Sequence, residues 1–139
     1  LKEIERLQIS TTFGGEVLSL AVCRAALQIY RSTDYIARLA ILGQRLREGV
    51  NAAAREEGAP LEVLGYDAIP LFSFDRDLGR HTPLMRIFQG KMAGRGVLLR
   101  RDVNFICGAH SAEQIDFTLE ATRESLRDMA REGSFASPS

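Results

Sequence analysis

The stretch Leu61–Phe74, LEVLGYDAIPLFSF, decides the fold class. Two short apolar runs, Leu61–Tyr66 and Ile69–Phe74, are parted only by Asp67 and Ala68, and the second is rich in aromatics. Runs of this length around a two-residue turn are the pattern of a hairpin. Pro70 has no N–H to give to a ladder, so the second run reads as an edge strand or as the first residues of a strand.

Upstream, Ile36, Leu39, Gly43, Leu46, Val50 and Ala53 recur at alternating spacings of three and four, the mark of a one-sided helix. Arg31–Asp34 (RSTD) offers capping hydroxyls and an early acid, and Gly58 with Pro60 stops the helix. Gly43 and Gly49 each lower helix propensity by roughly 1 kcal/mol; close packing against a neighbour explains Gly43, which lies on the apolar face. Downstream, Asp75–His81 (DRDLGRH) reads as a loop, followed by a helix with Thr82 as cap and Pro83 at its first position. Leu84, Met85, Phe88 and Met92 form its inner face, and Gly94 and Gly96 end it. Val97–Leu99 and Asn104–Ala109 are two more strand candidates. The last helix opens on a capping box, Ser111 with Gln114, and is lined by Ile115, Leu119, Thr122, Leu126 and Met129.

Before all of these lies a helix over about Glu16–Tyr30 whose polar residues Arg24, Gln28 and Arg31 make one thin stripe. Almost everything else on it is apolar, so it must be covered from several directions, by a partner domain or a second subunit. The element order is α–α–β–β–α–β–β–α. It predicts an α+β fold, a small and mostly antiparallel sheet covered on one face by helices. The expected organisation is a lead-in over 1–31, a small α+β domain over 32–133 and a flexible tail over 134–139.

Composition bounds the function. The chain has 139 residues, suited to one core, and its 18 basic residues balance 18 acidic ones. Nucleic-acid binding leaves a basic surplus or patch, so a nucleic-acid partner is not expected. No secretory leader is visible and no apolar run approaches membrane-spanning length, which excludes a membrane role and reads as cytoplasmic. Cys23 and Cys107 stand far apart in apolar surroundings, as free buried thiols, and no spacing suits a metal. The chain opens LKEIERLQ without an initiator methionine, which reads as a piece of something longer.

Few residues are typed for chemistry, and none is assigned a catalytic role. His81 is expected to be a solvated loop residue, and His110 a structural residue hydrogen-bonded to backbone. The segment Ser10–Leu27, STTFGGEVLSLAVCRAAL, is different. Hydroxyls and two glycines running into a helix start expose orphan N–H groups at a positive dipole end, which suits a phosphate. An ordinary capped turn with glycines for backbone freedom explains the same residues.

Together with Gly94–Leu126, GRGVLLRRDVNFICGAHSAEQIDFTLEATRESL, that segment resembles class III aminotransferases. These are pyridoxal-phosphate (PLP) enzymes of fold type I, and the likeness is to the glutamate-semialdehyde aminomutase branch. It spans Leu1 to about Arg131. It implies that Thr12, presented by Phe13, Gly14 and Gly15, hydrogen-bonds the phosphate of PLP in the neighbouring subunit of a homodimer. It further implies that the loop Arg100–Asn104 lies where the small domain closes over a small amino-acid or amino-ketone substrate. Arg100 or Arg101 would then bind a substrate carboxylate, and Asp102 would lie near an acidic family position; a solvated turn is the alternative. The family's Schiff-base lysine belongs to a large N-terminal domain, and neither Lys2 nor Lys91 matches it, so the chain by itself is expected to be inactive. A function of another class stays open: a standalone α+β interaction module whose first helix binds a protein and no cofactor.

Overall fold

The computed structural model describes residues 16–101 and 103–136. The elements are α1 (Val17–Ser32), α2 (Tyr35–Glu56), β1 (Glu62–Tyr66), β2 (Ile69–Ser73), α3 (Leu78–Gly94) and α4 (Ala112–Arg131). The chain divides into two compact units, Leu1–Tyr35 and Ile36–Ser139. The fold is α+β, with a two-stranded antiparallel sheet among the described residues.

In the first unit, α1 buries none of its residues. Val17, Leu18, Leu20, Val22, Leu27, Ile29 and Tyr30 all remain exposed, Val17 by 78%. Cys23 is exposed as well, and so is Cys107 in the second unit. Neither thiol is thus the buried one that its apolar neighbours in sequence predict. Apolar neighbours along a chain do not bury a residue unless another element packs over them.

The second unit holds the core. β1 pairs with β2 in the register Val63 to Phe72 and Leu64 to Leu71, the hairpin that the sequence predicts. Alternation places Val63 and Phe72 inward, 2% and 1% exposed, while Leu64 stays out. Gly65 lies opposite Pro70 at φ +88, where a side chain would strain the backbone. Phe72 and Phe74 converge on Phe88 of α3, with ring centroids 6.3 and 5.5 Å away, the second pair edge-on. Edge-to-face packing aligns the positive ring edge with the negative face, adding to simple burial.

Gly43 explains how closely α2 approaches the hairpin. A Cβ there would sit 1.8 Å from the Asp67 carbonyl oxygen, so no residue but glycine fits. Asn51 of α2 accepts the Val63 N–H at 2.8 Å, and Arg47 pairs with Asp67 at 2.7 Å. Helix α4 opens on the expected capping box, Ser111 Oγ accepting from the Gln114 N–H and Gln114 Oε1 from the Ser111 N–H. It is joined to α3 through Arg95, which bonds Glu124 at 3.0 Å and Asp128 at 2.5 Å.

Two expectations are corrected. Val97–Leu99 and Asn104–Ala109 are not strands. Val103 makes one isolated bridge to Leu71, while the Asn104 and Ile106 N–H groups donate to the Pro70 and Ala68 carbonyls. The segment therefore runs beside β2 without forming a ladder, and Val97–Leu99 pairs with no strand among the described residues. The second correction is the start of α3. It begins at Leu78, capped by Asp77, whose carboxylate accepts the Gly79 N–H at 2.9 Å. Pro83 is thus inside the helix, where its missing N–H leaves the Gly79 carbonyl without an intrahelical donor.

Candidate functional site

Thr12, Phe13, Gly14 and Gly15, the residues matched to a phosphate contact, lie outside the described residues, as does Asp102. Of the sequence-derived site, Arg100 and Arg101 can be placed. Both are exposed. Asn104 folds the loop between them and β2 by accepting the Arg100 N–H at 2.9 Å and donating to the Arg100 carbonyl at 3.2 Å. Pinning both backbone groups with one amide side chain fixes where the two guanidinium stems leave the chain.

Arg101 is brought to a cleft that sequence reasoning missed; Arg100 is not part of its lining. The floor comes from β2 (Leu71, Phe72) and one wall from the turn and first residues of α3 (Asp75, Arg76, Leu78, His81). His81 corrects its expectation: it is buried, 9% exposed, and its Nδ1 accepts the Phe74 N–H at 3.2 Å. The early start of α3 is the cause. It moves His81 from a loop to the helix face that also carries Leu84, Met85 and Phe88. The usable signal was Asp77, an N-cap residue one full turn before the Thr82–Pro83 pair.

Electrostatics in the turn are largely satisfied internally. Asp75 is held below the ordinary aspartate range, first by the Asp77 N–H that its Oδ1 accepts at 3.0 Å. The Arg80 guanidinium, 3.4 Å from Oδ2, lowers it further. His110 behaves as expected, its Nδ1 accepting the Cys107 N–H at 3.0 Å. Among the described residues no group of three His, Cys, Asp or Glu side chains is arranged to hold a metal. No helix among them is long and apolar enough to cross a membrane.

Comparison with known proteins gives the class first. No family model matches the chain. Its fold matches part of the Sphingopyxis sp. MTA144 FumI protein, solved in its PLP internal aldimine form, with a TM-score of 0.82 over 99% of this chain and 33% of that one, at 22% identity. It also matches an omega-transaminase from Sphaerobacter thermophilus, with a TM-score of 0.62 over 68% of this chain and 24% of that one, at 24% identity. The fold is thus one shared with parts of both of these proteins.

Sequence then narrows the likeness. The chain is 30% identical over 125 residues to glutamate-1-semialdehyde 2,1-aminomutase of Methanosarcina acetivorans. It is 28% identical over 131 residues to that of Thermomicrobium roseum and 28% identical over 130 residues to that of Clostridium novyi. These alignments take in 83%, 86% and 85% of this chain, and it spans about 30% of the length of each of these curated relatives. The resemblance drawn from the sequence, to PLP-dependent aminotransferases with glutamate-semialdehyde aminomutases among the relatives, is borne out.

Proposed function

We propose that the chain is the C-terminal part of a class III, fold-type-I PLP enzyme, an aminotransferase or aminomutase acting on an amino acid or amino-ketone. The observation that carries this is the coincidence of two likenesses: sequence similarity to aminomutases over 83–86% of the chain, and a common fold over 99% of it. In this reading residues 1–31 are the lead-in, 32–133 the small domain and 134–139 the tail of a cytoplasmic homodimer with a large N-terminal domain. Thr12, on the turn of Phe13, Gly14 and Gly15, donates a hydroxyl to the cofactor phosphate across the dimer. Arg100, Arg101 and Asp102 belong to a lid over the substrate, with an arginine fork on its carboxylate. PLP supplies the electrophilic carbon and electron sink, carried by a lysine of the large domain.

The uncovered apolar surface of α1 supports a junction there with the large domain or the partner subunit. That surface equally fits a protein-binding module without cofactor, and one experiment separates the two. Full-length protein loaded with PLP is expected to show the visible absorbance of lysine-bound cofactor, and to lose it when an amino-acid donor is added. A full-length protein that shows no such band after loading with PLP contradicts the assignment and favours the module.

A further inference from the structure

We infer that the cleft beside the β2–α3 turn is a binding site for a small hydrocarbon chain ending in a carboxylate. Its volume is about 340 Å³, enough for a ligand of a few carbon atoms. The floor is apolar, from Leu71 and Phe72, and Leu78 stands at the rim 74% exposed, with nothing among the described residues covering it.

The polar groups of the cleft divide sharply. Ser73 donates to the Asp75 carbonyl, while the Asp75 carboxylate is engaged by the Asp77 N–H and by Arg80. Arg101, which also lines the cleft, is engaged as well, and two groups remain open. Arg76 is exposed and its guanidinium forms no ion pair among the described residues. His81 is nine-tenths buried, and its Nδ1 is already an acceptor for the Phe74 N–H. A ring bonded in that way carries its proton on Nε2, which makes that atom a donor. Among the described residues it makes no hydrogen bond, and it is not one of their sealed side-chain atoms without a partner. Nε2 thus retains an opening, and the cleft that His81 lines provides it. An open ring donor, the Arg76 guanidinium without an ion pair among the described residues and an apolar floor together fit a carboxylate on a hydrocarbon chain. An amine is repelled by Arg76, and an uncharged chain forms no ion pair with it.

The test needs no cofactor, so its outcome is independent of the aminotransferase assignment. Hexanoate is titrated into the protein and followed by amide NMR, with hexan-1-ol as the uncharged control. Saturable shifts are expected at Phe74, Leu78 and Gly79 but not at Ser125 of α4, with the alcohol binding roughly tenfold more weakly. Arg76→Met, at an exposed position that leaves the fold intact, should weaken hexanoate several-fold, toward the level of the alcohol. Leu78→Asn, also at an exposed position, should weaken both. Equal binding of acid and alcohol, unchanged hexanoate binding by Arg76→Met, or the absence of saturable shifts at the cleft would each overturn the inference.

Discussion

Helices α1 and α4 are of similar length, 16 and 20 residues, and α1 is the more apolar of the two by inspection of its sequence. Yet α1 buries nothing, whereas α4 buries seven residues, including Leu126 and Met129 at 0% exposure. The difference lies in arrangement. In α4 the buried residues recur on one stripe that α3 can cover, and most of the remaining positions are charged. In α1 they surround the helix, and no single neighbour covers a full circumference. Hydrophobic content measures the demand for burial, and periodicity measures whether one neighbour can meet it.

The largest effect that would sharpen this contrast comes from Phe88→Ala against Leu20→Ala. Phe88 is fully buried between Phe72 and Phe74, so its truncation should destabilise the second unit by about 4 kcal/mol. Leu20 is 56% exposed, and its truncation should change stability by less than about 0.5 kcal/mol. Urea unfolding of the two variants checks both figures, and equal losses would break the comparison.

Next in size is Gly43→Ala. The new methyl would overlap the Asp67 carbonyl, and backbone cannot yield as a flexible side-chain tip does. A loss of about 3 kcal/mol, at the upper end for overpacking, is expected in the same assay. A neutral result would mean that α2 and the hairpin turn are farther apart than described.

The smallest effect concerns acid. The Arg95 hydrogen bond holds Asp128 below its ordinary value of 3.8. A carboxylate depressed in the folded state stabilises above its unfolded value, and that contribution disappears as pH falls through the folded one. Melting temperature followed from pH 5 to pH 2 should therefore drop further for the wild-type chain than for Asp128→Asn. Parallel profiles would show that the α3–α4 ion pair contributes nothing measurable.

Much of the second unit is legible in the sequence. Leu39, Gly43, Leu46, Val50 and Ala53 of α2 are buried as their spacing predicts, as are the inner faces of α3 and α4. Ile36 is the exception, 55% exposed. Periodicity succeeds here because each helix has one partner face. It fails for 97–109, where strand formation depends on pairing with a distant edge, and among the described residues Val103 alone makes a bridge to β2. The start of α3 was obscured by competition between two valid local signals, Asp77 and Thr82–Pro83, of which the earlier prevails and buries His81. The cleft was invisible because its parts, 71–81 and Arg101, meet only through tertiary structure. The proposed phosphate contact of Thr12 rests on motif likeness alone.

The central claim is that Thr12 holds the phosphate of a PLP bound in a neighbouring subunit. Its most direct test is the cofactor dissociation constant of the full-length protein, wild type against Thr12→Val. Loss of one hydrogen bond to a dianion should weaken binding by roughly tenfold, with the dimer intact. A variant that retains PLP as firmly as wild type would contradict it.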